Sequence, residues 1–276
     1  MDLELKNYSS LKAMADWIEL STAINGQVTK AQIDHFLVNN DYPDDNSEGY
    51  INSIWRELRI RNDRYNGVNP MIIDSISVEP NINWRSYPEY ILMLILSMEG
   101  NGWETQNTGV LFERICKEAL EEYIGGQARV VGFPNKVSVE DICKEIEEEF
   151  IQELPARYKD RKLDVVGWKK LDSRNNKLLI LMQCAAGDNW KAKTTELQPE
   201  VWRDYIRFGC TPTRAFGFAH CIDDDLFFET GKEGGIIFDR IRLYRYMTSR
   251  NVITDNTLRG EILEWCDNRL PLLKAS

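Results

Sequence analysis

Histidine is almost missing from this chain, with His35 and His220 the only two in 276 residues. Two are too few for a histidine-rich metal centre or for the chemistry of an HNH-type nuclease. The six cysteines, Cys116, Cys143, Cys184, Cys210, Cys221 and Cys266, are scattered and form no CxxC pair. That spacing argues against a zinc site or a disulfide framework and in favour of buried free thiols. No apolar run approaches the ~20 residues that span a bilayer, and the acidic start MDLELKN lacks the pattern of a signal peptide. A cytoplasmic protein with no membrane partner is therefore expected. Excess positive charge is missing too, since 34 Lys and Arg face 44 Asp and Glu for a net charge of −10. Such a surface does not wrap nucleic acid non-specifically, although it leaves room for a local basic strip. Two stretches qualify: Arg56, Arg59, Arg61 and Arg64, and later Arg240, Arg242, Arg245 and Arg250. Each also reads more simply as a solvated helix face.

What remains is the composition of an ordinary globular protein, 43% hydrophobic and 28% charged. The length suits one large domain or two smaller ones, and no internal repeat or low-complexity tract interrupts it. Residues 1–98 read as a mainly helical recognition or interaction domain. SLKAMADWIELSTAI places Leu11, Met14, Trp17, Ile18 and Leu20 in helical register, and Asn25-Gly26 ends it. Thr29 with Gln32 forms a capping box for a second helix, buried through Ile33, Phe36 and Leu37. A polar loop, Asn39 to Ser47, leads to a third helix, GYINSIWRELRIRNDRY, which faces inward through Ile51, Ile54, Trp55 and Leu58. MIIDSISVEP alternates like a small hairpin. Three helices and a hairpin are the order of a winged helix, and a plain helical packing domain would show the same order. Pro88 then starts the apolar helix PEYILMLILSMEG.

Residues 99–276 read as an α/β (α+β) domain, a mixed central β-sheet flanked by helices. GVLFERICKEALEEYIGG is an amphipathic helix closed by Gly125-Gly126. Its buried stripe is Phe112, Cys116, Ala119, Leu120 and Tyr123, with Glu113 beside it. ARVVGFP is a strand, and Ser138 with Asp141 caps the helix SVEDICKEIEEEFIQEL. Two strands follow, joined by the polar turn DSRNN, then a helix from Trp190 capped by Asp188-Asn189. TRAFGFAHC is a fourth strand, GIIFDRIRLYRYM a helix, and TLRGEILEWCDNRLPLL a last helix after Thr254-Asp255.

The stretch from Lys162 to Lys193, KLDVVGWKKLDSRNNKLLILMQCAAGDNWKAK, organises the rest. LDVVGW carries an acid, Asp164, near its start. LLILM is too apolar for an exposed strand and is expected at the centre of the sheet. Strand side chains alternate, so Leu181, Gln183 and Ala185 share one face while Met182 and Cys184 share the other.

An acid on one strand, with a carboxylate or amide two residues before a lysine on its neighbour, resembles the metal site of the PD-(D/E)xK (restriction-endonuclease-like) nuclease superfamily. The resemblance covers Thr108 to Met247, with Gln183-Cys184-Ala185 standing where (E/Q)-x-K is found. It implies a Mg²⁺- or Mn²⁺-dependent phosphodiesterase, an endonuclease acting on DNA in bacterial antiviral defence or restriction. Asp164, Gln183 and the backbone carbonyl of Cys184 would be ligands, and Glu113 would match the supporting acid on the helix before the first strand. Ala185 stands where the water-orienting lysine would be, so Lys191 or Lys193 would have to supply the ammonium. The alternative is a degenerate nuclease-like subunit that binds DNA or a partner protein within a multi-protein defence complex. There Asp164 would cap a turn and Gln183 would satisfy backbone groups.

Overall fold

The computed structural model describes residues 10–40, 47–99, 107–131, 137–155, 161–172, 174–248 and 255–273. It divides into two compact units, residues 1–100 with 255–276, and residues 101–254.

In the first unit, α1 (Leu11–Asn25) starts at Ser10, whose side chain accepts from the Ala13 N–H. It ends at Gly26, where φ of 96° suits a residue without Cβ. The short strand β1 (Val28–Thr29) runs into α2 (Lys30–Asn39) through the Thr29–Gln32 capping box, present in both directions. Next come α3 (Ser47–Arg64), β2 (Met71–Ile73), β3 (Ser77–Pro80) and α4 (Pro88–Glu99). The three strands form an antiparallel sheet in the order β1-β3-β2. Helix, strand, two helices and a hairpin that pairs back on the first strand is winged-helix connectivity. The buried side of α1 carries two acids, Asp16 and Glu19. Arg61 of α3 meets them at 2.5 and 3.0 Å and also bonds Glu57 at 2.8 Å. Tyr90 donates to the second oxygen of Glu19 at 2.7 Å, so the buried charges are paired as burial demands. Arg61 is thus a core residue and not part of a basic strip.

The second unit is built on a mixed five-stranded sheet flanked by helices. Its elements are α5 (Thr108–Ile124), β4 (Gln127–Val130), α6 (Val139–Ile146), β5 (Glu149–Phe150), β6 (Val165–Lys169), β7 (Leu178–Ala185), α7 (Trp190–Lys193), α8 (Pro199–Trp202), β8 (Ile206–Arg207), β9 (Thr213–Phe218), α9 (Asp224–Gly234), β10 (Ile236–Phe238) and α10 (Arg240–Thr248). The sheet order is β10-β9-β7-β6-β4, antiparallel on the β4 side of β7 and parallel on the β9 side. The hairpin is central, as the apolar run LLILM demands. Helix α5 lies close on one face, where Leu120 sits against Gly167, and Cys116 with Met182 against Gly217. A Cβ at either glycine would meet those side chains at 2.6–2.9 Å. The other face buries Val166, Trp168, Leu179 and Leu181 with Ile142, Ile146, Leu197 and Trp202.

Several expectations are corrected here. The acidic run from Ser138 does not stay helical to Leu154. Glu147 takes φ of 53°, and the buried Lys177 ammonium donates to the carbonyls of Ile146 and Glu147 at 2.7 and 3.1 Å, closing α6. Glu149–Phe150 then pairs with Ile206–Arg207 as a two-stranded ribbon. GIIF is a fifth strand and not the start of a helix, because Ile236–Phe238 pairs in parallel with Ala215–Gly217. Tyr123 is 40% exposed and packs edge-on against Phe238 and Tyr246, outside the buried stripe. The far end of ARVVGFP, most of the Asn39–Ser47 loop, Arg250 and Thr254 lie outside the described residues.

The last helix, α11 (Asn256–Arg269), is capped by Asp255, which accepts from the Thr257 and Leu258 N–H groups. It packs on α4 in the first unit, with Arg85 bridging to Asp267 at 2.7 Å. Its residues therefore group with 1–100, whereas the order along the chain had put them with the second half. Among the described residues no helix is long and apolar enough to cross a membrane.

Candidate active site

The open end of the hairpin, opposite its turn, is where the polar groups meet. Arg161 and Lys162 both take left-handed backbone angles, φ of 51° and 66°, just before β6. Two successive non-glycine residues there cost about 1–3 kcal/mol each, and such strain gathers where a side chain must be aimed. The turn delivers Asp164 beside the end of β7. Its N–H donates to Met182 O at 3.1 Å, its carbonyl accepts from Val131 at 2.8 Å, and its Oδ2 accepts the Cys184 N–H at 2.7 Å. The N–H and C=O of one strand residue point the same way, so the Cys184 carbonyl also faces the Asp164 side.

Glu113 comes to this place on α5, one turn before Cys116, which the glycine contacts hold against the sheet. Burial, a hydrogen bond with Cys116, and the negative charges of Asp164 and Glu113 push the Cys184 thiol well above its ordinary value. Two carboxylates from separate elements thus bear on one strand position. Among the described residues no three His, Cys, Asp or Glu side chains are gathered as a metal cage.

Gln183 lies on the opposite side of this arrangement in its bonding. It is 3% exposed, its Nε2 donates to Glu196 Oε2 at 2.9 Å, and its Oε1 accepts the Leu197 N–H at 3.2 Å. The amide therefore pins the segment after α7 to the centre of the sheet. Arg214 reinforces that clip by donating to Leu197 O at 3.1 Å. Glu196 also receives Lys162 Nζ at 3.1 Å. Burial alone would raise its pKa, but the Gln183 amide, the Lys162 ammonium and the nearby charge of Lys193 outweigh it and hold Glu196 below its ordinary value. Glu196 was not singled out from the sequence. It stands 13 residues from Gln183, and no periodicity links a strand to the loop after the next helix.

Ala185 is fully buried, in a cluster with Trp190, Phe216 and Phe218. Trp190 stacks on Phe218 at 4.2 Å and 5°, so a longer side chain at 185 would extend into a cluster already closely packed. The two lysines of α7 differ. Lys193 is half-buried and acts on Glu196, whereas Lys191 is exposed with its ammonium 5.6 Å from the Trp190 ring. Asn189 makes no side-chain cap, and Asp188 instead meets His220 Nε2 at 3.3 Å. Arg240 is fully buried, and Arg242 donates to Ile237 O at 2.8 Å. Arg240 is therefore no phosphate contact.

No family model and no curated protein matches the chain. Among solved structures, the restriction endonuclease FokI aligns with 94% of this chain and 48% of its own length, at 10% identity and a TM-score of 0.20. A likeness at that level carries no functional weight.

Proposed function

We propose that the chain is a metal-dependent nuclease acting on DNA, with its chemistry at the Asp164 end of the central hairpin. The observation behind this reading is the 2.7 Å bond from the Cys184 N–H that fixes the Asp164 carboxylate at the open end of the hairpin, with Glu113 near enough for its charge to act on Cys184 and with Lys162 bound to Glu196 at 3.1 Å. Mg²⁺ and Mn²⁺ prefer oxygen donors, and Mg²⁺ commonly takes one or two carboxylates, keeping waters and substrate phosphate for its other positions. Asp164, Glu113 and the Cys184 carbonyl suit that demand. The Gln183 oxygen is engaged by Leu197, and its part in this proposal is to hold the loop that carries Glu196 behind Lys193. The bound cation would supply Lewis-acid polarisation and an acidified water. The chain's own residues orient and neutralise: Asp164 is fixed by the Cys184 N–H, and the Lys193 or Lys162 ammonium offsets charge on a phosphate. A role in bacterial antiviral defence rests on the sequence resemblance.

The test is nicking of plasmid DNA with Mg²⁺ or Mn²⁺. The Asp164→Ala variant is expected to lose it, and unchanged cleavage overturns the assignment. A second reading, the non-catalytic subunit that binds DNA or a partner protein, is favoured by the close packing around Ala185. Calorimetric titration separates the two. A catalytic site shows Asp164-dependent Mn²⁺ binding, and a degenerate one shows none while DNA or partner binding persists.

A further inference from the structure

We infer that the first unit reads double-stranded DNA through the exposed face of α3. This deepens the nuclease proposal by naming the substrate as a duplex, and it rests on that reading only for the purpose of the binding. The surface itself is carried by different residues.

Helix α3 follows α2 and precedes the β2–β3 hairpin, the place in the element order that belongs to the major-groove helix of helix-turn-helix proteins. Its two sides are sharply divided. Ile51, Ile54, Trp55, Leu58 and Arg61 are buried. Trp55 Nε1 donates to Asp74 O at 3.1 Å, tying the hairpin to the helix. Asn52, Ser53, Arg56 and Arg59 are exposed on the other side, four and three residues apart along one face. These are the side chains that read base edges: arginine forks to guanine O6 and N7, and asparagine to adenine N6 and N7.

The polar groups around that face are arranged to present it. Lys30, at the start of α2, donates to Asn52 Oδ1 at 2.9 Å and lies 5.4 Å from the Trp55 ring. The Asn52 oxygen thus already accepts one bond, and Lys30 adds a third cation to the face. Arg56 makes no hydrogen bond or ion pair among the described residues. A buried arginine in this same helix, Arg61, is matched by three carboxylates, so an arginine left unmatched beside it is not for lack of acids in an acidic chain. Charge also chooses the mode of binding. With a net charge of −10 the surface at large repels phosphate, so affinity concentrates on this face and depends on base contacts more than on wrapping.

The experiment uses the full chain, a labelled duplex selected from a random pool, and fluorescence anisotropy in EDTA at several salt concentrations. Duplex binding is expected without metal. Arg56→Ala with Arg59→Ala should weaken binding to the selected duplex at least tenfold and abolish its preference over a scrambled duplex, with little change in the salt slope. Arg56→Lys with Arg59→Lys keeps the charge but not the fork, and is expected to lose sequence preference as well. Absence of duplex binding, a preference for single strands or RNA, or affinity and sequence preference unmoved by the alanine pair overturns the inference. Duplex binding by the parent chain without any metal-dependent cleavage counts against the nuclease reading alone and leaves this one standing.

Discussion

Gln183 and Glu196 meet through a 2.9 Å hydrogen bond that joins the central strand of the sheet to the loop beyond α7. Because Gln183 Oε1 also accepts from Leu197, the amide is a two-point clip, and the segment it holds directly follows Lys193, whose charge acts on Glu196.

Replacing that amide by an acid tests the clip. Gln183→Glu would set a buried carboxylate at hydrogen-bond distance from the Glu196 carboxylate, where the two cannot both ionise cheaply. One of the two should titrate above its ordinary value. The folded state then holds a proton that the unfolded state has released, so stability falls as pH rises above about 4.5, the ordinary glutamate value. Urea denaturation at pH 5 and pH 8 is expected to show the variant closer to the parent at pH 5. Equal losses at both values would mean that the pair is not in contact.

A lysine restored at the family position should not help. Ala185→Lys pushes a long cation into the cluster around the Trp190–Phe218 stack. Overpacking costs about 1–3 kcal/mol, and burying an unpaired charge adds to it. We expect a lower melting temperature and no gain in nicking. A variant that melts like the parent and cleaves faster would show that the stack yields readily to the new side chain.

The two lysines of α7 are expected to separate. Lys193→Ala should weaken metal-dependent cleavage at least tenfold, because Lys193 acts on Glu196 beside the site. Lys191→Ala, which removes an exposed ammonium near Trp190, should change it less than twofold. Single-turnover rates at saturating Mg²⁺ decide between them, and the reverse ranking would move the working ammonium to Lys191.

Glu89 gives the first unit a pH dependence of its own. It is 1% exposed at the start of α4, and burial raises its pKa to about 7 against the partial relief of its own N–H and of Arg259. Between the ordinary value of 4.5 and about 7 the folded state binds more protons than the unfolded one, so stability falls as pH rises through that window. The cost above pH 7 is on the order of 3 kcal/mol. Glu89→Gln should remove the slope, and parallel stability–pH curves for variant and parent would refute it.

Much of this molecule is written locally in its sequence. The Thr29–Gln32 box, the Ser138 and Asp255 caps and the Gly125 stop are contacts within a few residues, so spacing alone reveals them. The central place of β7 follows from its apolar run, since only a strand covered on both faces buries LLILM. Asp164 and Glu113 were legible as candidate acids because their elements were. Tertiary structure decided the rest. Lys177 ends α6 from 31 residues away, and Ile236–Phe238 becomes a strand only because β9 offers a parallel edge. Glu196 joins Gln183 and Lys162 across a loop, and Trp190 with Phe218 packs around Ala185. Nearest-neighbour propensity fixes a backbone over a few residues. Which side chains share a buried space depends on how distant segments pack, and no local period carries that information.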